Sequence, residues 1–175
     1  VRTQILSLVV EFGATSIGEM SFDGCDKLTS VTISDSVAKI GHFAFGGCRN
    51  LISMTIPESI VSIDYGAFNG CDNLHSILVD TGNENYTSVN GVLFDKACTT
   101  LIAYPVGKSE DTYKIPDGVT RVGEYAFCGG RNLNDVAIPK SVTSIGWYAF
   151  ENCNRLKSVT IPEGVISIEE GAFSG

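Results

Sequence analysis

One pattern constrains this chain more than any other: phenylalanine returns every 23 residues, at Phe22, Phe45 and Phe68 and again at Phe127, Phe150 and Phe173. The same step carries Ile17, Ile40 and Ile63, then Val122, Ile145 and Ile168. It also carries Leu28, Leu51 and Leu74, then Leu133 and Leu156. Ile5, Leu8, Val10, Ala14 and Ile17 precede Leu28, Val31, Ile33, Val37 and Ile40 by the same interval. Apolar residues held at fixed offsets, with polar residues varying between them, define a whole-unit repeat, and a unit of this size cannot bury its apolar face alone. Such a chain folds by stacking, each unit forming one coil that covers its neighbour. The sequence starts and stops inside a unit, so residues 1–175 are expected to form a single solenoid that is a segment of a longer array.

Within a unit, Ser30-Val31-Thr32-Ile33 alternates polar and apolar residues of β-branched type, as a half-buried strand requires. The pattern recurs at 53–56, 135–138 and 158–161. Pro57, Pro139 and Pro162 follow directly, and proline cannot donate the next ladder hydrogen bond, so each strand is expected to end there. A second short apolar pair comes next, such as Val142 and Ile145, and then Gly18, Gly41, Gly123 or Gly146 at a sharp bend. Asp64 and Glu169 hold that same bend position, so it is not expected to need a left-handed backbone. The stretch A-F-x-x-C-x-x-L is too short for a long helix and predicts a single helical or 3₁₀ turn. Parallel strands spaced about 4.8 Å apart over roughly seven coils give a β-rich rod on the order of 35 Å long. Phe, Leu, Cys, Val and Ile point inward in it.

Ile63 and Val122 lie 59 residues apart, so one expanded unit, at about 80–112, interrupts the array. The regular pattern resumes at Tyr113, Ile115, Pro116, Val119 and Val122, matching Val159, Ile161, Pro162, Val165 and Ile168. Two apolar runs, 92–94 and 101–104, flank a polar turn and predict a short hairpin, while 81–90 and 107–112 read as loops. Insertions in repeat arrays often shape a binding surface, but a structural variant coil is the favoured reading here.

With the unit in hand, the pattern I-G-x-x-A-F-x-x-C-x-x-L-x-S-V-x-I-P-x-x-V-x-S resembles the BspA-like leucine-rich repeats found in surface proteins of host-associated bacteria and some protozoa. The resemblance covers nearly all of 5–175, and N-Y-T-S-V-N-G-V-L-F-D-K with L-I-A-Y-P-V-G-K looks like an insert that recurs in that family. It implies a leucine-rich repeat solenoid in a secreted or cell-surface protein whose repeats act in adhesion, often to host matrix proteins or other microbes. It transfers no catalytic residues. The chain departs from the pattern at Cys128, two positions before the place held by Gly130, and that coil is expected to pack differently.

Composition removes several other functions. The net charge of −8 has the wrong sign for tracking a phosphate backbone or an anionic membrane, and the longest apolar stretches, such as 5–10, fall short of the roughly 20 residues of a membrane span. Cys25, Cys48, Cys71 and Cys153 share one repeat position and read as an inward column of thiols, because parallel side chains in neighbouring coils hold their Cβ atoms wider than a disulfide prefers. Cys98 and Cys128 are open to either state. No paired C-x-x-C or clustered histidine suggests a metal, and no cofactor motif is present. His42 and His75 occupy variable positions and read as solvated. The oxygen-rich segment 80–85 does not match a calcium loop.

Two surfaces remain as candidate contacts. The outward strand positions form columns of Ser30, Ser53, Ser76, Asp135 and Ser158 beside Thr32, Thr55, Leu78, Ala137 and Thr160. The bend carries Phe43, Tyr65, Tyr125, Trp147 and Tyr148, of which Tyr65, Trp147 and Tyr148 are the candidate contact residues, since Tyr and Trp are favoured in interfaces. The expected function is a non-enzymatic module of an adhesin, binding a host matrix protein, another surface protein or a glycan. The alternative is a rigid spacer without a ligand. Strand columns made mostly of Ser and Thr do not supply the clustered acids and bases of a catalytic site.

Overall fold

The computed structural model describes residues 4–175, so residues 1–3 of the expected array lie outside the described residues. In chain order the strands are β1 (Ser7–Val10), β2 (Ser16–Ile17), β3 (Ser30–Ile33), β4 (Lys39–Ile40), β5 (Ser53–Ile56), β6 (Ser62–Ile63) and β7 (Ser76–Val79). The expanded unit adds β8 (Tyr86–Val89), β9 (Val92–Asp95) and β10 (Thr100–Ala103). Then follow β11 (Thr112–Lys114), β12 (Arg121–Val122), β13 (Asp135–Ala137), β14 (Ser144–Ile145) and β15 (Ser167–Ile168). Between regular coils pairing is parallel and steps by one repeat, with Ser7 opposite Ser30, Ser53 opposite Ser76, and Ile17 opposite Ile40 opposite Ile63. Each regular coil up to β14 thus carries a longer strand on one side and a short strand on another.

Alternation drives the long strands inward on one face. In β5, Met54 and Ile56 are buried while Ser53 and Thr55 are exposed, and Pro57 ends the strand while its carbonyl accepts from Ile60 N to close the turn. The A-F-x-x-C-x-x-L stretch forms single turns closed by bonds to the third residue back, such as Cys48 N to Phe45 O and Leu51 N to Cys48 O, the 3₁₀ type of closure. Inside, the phenylalanines stack ring on ring, Phe22 on Phe45 at 5.6 Å and Phe127 on Phe150 at 4.8 Å. Tyr104 takes the phenylalanine place in the expanded unit: it stacks on Phe127 at 5.1 Å, and its amide donates to Ala126 O as Phe45 N does to Ala67 O.

The thiol column does structural bonding. Cys48, Cys71 and Cys153 donate through Sγ to the carbonyls of Phe22, Phe45 and Phe127 at 3.2–3.3 Å, each reaching into the previous coil. Cys98 and Cys128 are separate thiols. Burial pushes Cys48 from its ordinary value of 9.0 to about 12 and Cys153 to about 11, and it also raises Cys71 well above that ordinary value, with the neighbouring Cys48 adding to the effect. The folded chain therefore holds these protons more tightly than the unfolded chain. This contribution is fully present below pH 9, where unfolded thiols begin to ionise, and is lost as pH rises through the folded values. The urea midpoint is expected to fall steadily between pH 9 and 11; a flat midpoint over that range would contradict the assignment.

At 158–161 the expected strand does not form. Only Lys157 N reaches back to the preceding coil, to Asn134 O at 3.4 Å, the long limit for such a bond, so no ladder propagates and Ile161 stays 37% exposed. At 135–138 the strand is one residue shorter than expected, β13 ending at Ala137.

The expanded unit is more ordered than expected. The segment 81–90, read as a loop, contains β8, which pairs antiparallel with β9, and β9 pairs antiparallel with β10. Asn90 and Gly91 connect β8 to β9 with φ of 52° and 78°, the geometry of a type I′ turn, for which Asn-Gly is the preferred pair. Three residues of the central strand are fully buried: Leu93 joins one apolar core with the preceding coils, and Val92 and Phe94 join a second core with the following ones. The insertion is thus a variant coil that partitions the interior. Asn83, the buried polar residue beside it, donates through Nδ2 to Pro57 O at 2.7 Å and Ile60 O at 3.0 Å. Its Oδ1 accepts from Asn85 N and Tyr86 N, both at 2.8 Å, so this side chain pins the meander to the coil beneath it.

Candidate functional site

The two candidate surfaces lie on different sides of the coil. On the long-strand side, β1, β3, β5 and β7 carry Ser30, Thr32, Ser53, Thr55, Ser76 and Leu78 outward, all exposed except the half-buried Ser76. Residues 6–9, 29–32, 52–55 and 75–78 contain no Asp, Glu, Lys or Arg. Leu6, Val9, Ile52 and Leu78 are each about half exposed or more among them, at 63%, 59%, 53% and 49%. The result is a face of hydroxyl and aliphatic groups without fixed charge on a chain whose net charge is −8.

This face does not continue along the whole rod, contrary to the columns expected from the repeat. Ile77 N donates to Gly91 O at 2.8 Å, so the turn of the meander, and not the next long strand, lies beside β7. Asp135 and Ala137 belong to the separate pair β11–β13, and Ser158 and Thr160 belong to no strand. The C-terminal half is also charged, through Asp111, Lys114, Asp135 and Lys157.

On the bend side, the aromatic residues form a ladder. Tyr125 stacks on Tyr148 at 5.2 Å and on Tyr65 at 6.0 Å, and Phe43 meets both Tyr65 and Tyr125 edge to face. Tyr65 and Trp147 are 40% and 48% exposed, whereas Tyr148 is half-buried in the stack. His42 is not freely solvated as expected: its ring lies 3.9 Å from Tyr65 and its Nε2 is 3.6 Å from the Asp64 carboxylate. The bend glycines have ordinary φ, but two residues later the backbone is left-handed in every bend of the regular pattern, at Met20, Phe43, Gly66, Tyr125, Tyr148 and Gly171. At Gly66 (φ +66°) a Cβ would stand 2.5 Å from the Phe43 ring, so glycine there makes room for that ring.

Among the described residues no group of three or more His, Cys, Asp or Glu is placed to hold a metal ion, and no helix is long and apolar enough to cross a membrane. A model of the BspA type leucine rich repeat region matches residues 2–110 and 107–175, with 6 copies of the repeat. The chain belongs to this family.

Solved structures agree with the BspA-type assignment. The pneumococcal vaccine antigen PcpA is similar with 29% identity and a TM-score of 0.86, over 93% of this chain and 40% of that one. A leucine rich cell surface protein of Faecalibacterium prausnitzii is 29% identical, with a TM-score of 0.78 over 97% of this chain and 51% of its own. A leucine-rich repeat protein of Eubacterium ventriosum is 30% identical, with a TM-score of 0.68 over 95% and 56%. This BspA-type segment therefore spans about half the length, or less, of these structures. No curated protein sequence matches it.

Two features of the BspA-type array were not found from the sequence. Asp95, whose carboxylate accepts from Thr99 N at 2.7 Å, Thr100 N at 2.8 Å and Thr99 Oγ1 at 2.6 Å, sets the turn between β9 and β10. Glu124, on the bend of the coil after the meander, is ion-paired with Arg121 and faces Asp64 across a groove. The D-x-x-x-T spacing offered a signal for the first. Nothing in the repeat pattern offered one for the second.

Proposed function

We propose that this BspA-type segment is a non-enzymatic protein-binding module of a secreted or cell-surface bacterial adhesin, and that it meets its partner through the long-strand face of β1, β3, β5 and β7. The observation that carries this reading is the absence of fixed charge over 6–9, 29–32, 52–55 and 75–78 together with the exposed Leu6, Val9, Ile52 and Leu78. A contiguous apolar and hydroxyl surface on a soluble fold is costly to leave in water and marks a protein contact. The repeated coil spreads that contact over several parallel strands, so affinity comes from many small terms. The similar structures include a vaccine antigen and a cell surface protein, which supports the surface location.

The test is solution binding to fibronectin and fibrinogen, comparing the unchanged segment with the double variant Thr32→Lys, Thr55→Lys. Lysine at two exposed strand positions leaves the fold intact and places charge in the contact. Saturable binding is expected, weakened roughly 10- to 100-fold in the variant. Equal binding by the variant moves the contact off the strands. No binding by the folded segment favours a spacer.

A further inference from the structure

The bend side holds a groove created by the expanded coil. In a regular coil the chain takes five residues from Val122 to Phe127; in the expanded one Leu101 pairs with Val122 and Tyr104 stacks on Phe127, only three residues later. The two residues left out are those that elsewhere form the protruding bend. At that level the surface is indented by an open groove of about 240 Å³, floored by Ile63 and Ile102 and bordered by Tyr65, Thr100, Asp64 and Glu124.

We propose that this groove binds a single neutral sugar ring, as a carbohydrate site separate from the strand face. Its size is below the roughly 300–1,000 Å³ of pockets for drug-sized ligands, which suits one ring. Ile63 and Ile102 offer apolar surface for the C–H groups of a pyranose, and the Tyr65 ring, whose faces are covered by His42 and Tyr125, adds its exposed edge. The rim offers both acceptors and donors for its hydroxyls. Asp64 is held by Lys39 Nζ at 2.9 Å and lies 3.6 Å from His42 Nε2, and Glu124 is held by Arg121. A cationic guest would have to displace Lys39 and Arg121 from these carboxylates, and an anionic guest would face Asp64 and Glu124 from both sides. A neutral polyhydroxylated ring meets neither obstacle.

The test is saturation-transfer NMR of the folded segment with the methyl glycosides of glucose, galactose, mannose and N-acetylglucosamine, each measured separately. At least one is expected to bind with a dissociation constant of about 1 mM. Tyr65→Ala and Glu124→Gln are each expected to weaken it about tenfold or more, while Trp147→Ala, outside the groove, leaves it unchanged. If Tyr65→Ala disturbs the aromatic ladder and unfolds the bend, Glu124→Gln decides. Failure of all four glycosides to bind, or binding unaltered in Glu124→Gln, overturns the proposal. So does preferential binding of the cationic probe N-acetyl-arginine methyl ester or of inorganic phosphate. Thr32→Lys, Thr55→Lys is expected to leave sugar binding intact, which separates this site from the strand face.

Discussion

Replacing Phe127 by Ala is expected to destabilise the fold by about 3–5 kcal/mol. The ring is fully buried and sits between Tyr104 at 5.1 Å and Phe150 at 4.8 Å, with Tyr113 at 5.9 Å. Truncation therefore removes transfer free energy, opens a cavity and breaks two stacking contacts at once. Against a total of about 5–15 kcal/mol for a typical domain, this is a large fraction. Because each coil contacts only its neighbours, the loss is concentrated where the expanded unit meets the second core. Urea unfolding is expected to shift to a lower midpoint and to separate into two transitions, with the C-terminal coils melting first. Trp147→Ala, at an exposed position, is the control and is expected to stay within about 0.5 kcal/mol of the parent. A Phe127→Ala loss below about 1 kcal/mol would show that Tyr104 and Phe150 close over the gap.

Asn83→Leu is the second large effect. It strands the Ile60 carbonyl and the Asn85 and Tyr86 amides, which now share one buried side chain, and leaves the Pro57 carbonyl with its bond from Ile60 N alone. At about 1–3 kcal/mol for each buried group left without a partner, a loss of at least ~3 kcal/mol is expected. Asn83→Asp gives a sharper test. The carboxylate still accepts from Asn85 N and Tyr86 N, but it faces the Pro57 and Ile60 carbonyls with no hydrogen to donate. Burial and those carbonyls would raise its folded pKa above the ordinary value of about 3.9. Stability is then best below the unfolded pKa and falls as pH rises through the folded one. Thermal melting of Asn83→Asp is expected to approach the parent as pH is lowered toward 4, while the deficit of Asn83→Leu stays constant with pH. Parallel pH profiles for the two variants would remove Asn83 from this role.

The repeat spacing carried the architecture, because identical coils impose identical registers: Ile17 against Ile40 against Ile63 follows from the 23-residue step alone. The expanded unit was only half legible. Its two apolar runs announced β9 and β10, yet β8 is Tyr-Thr-Ser-Val, a weakly apolar stretch that the Asn90-Gly91 turn would have disclosed. The left-handed bend was hidden for a steric reason. Met20, Phe43, Tyr125 and Tyr148 are side chains that rarely tolerate positive φ, and they adopt it because hydrogen bonds between coils fix the backbone on either side. Of the contact candidates, the strand residues before the meander fall on one face as the alternation requires. Ser158 and Thr160 do not, since alternation specifies which way a strand would face but not whether its ladder closes. The groove beside Tyr65 arises from two residues missing between Leu101 and Tyr104, a deletion visible only after pairing assigns those residues to the regular columns.

The meander between the two apolar cores also bears on how arrays of this kind grow. A regular coil presents the same residues above and below, so one can be duplicated or excised by recombination in register, and the flanking coils meet an equivalent surface. The expanded unit has no such symmetry: β9 gives Leu93 to one side and Val92 and Phe94 to the other, and Asn83 reaches only one neighbour. Copying it would bring unlike faces together. In-register exchange of a whole coil therefore preserves its neighbours' contacts where the repeat is regular, and disrupts them at the meander.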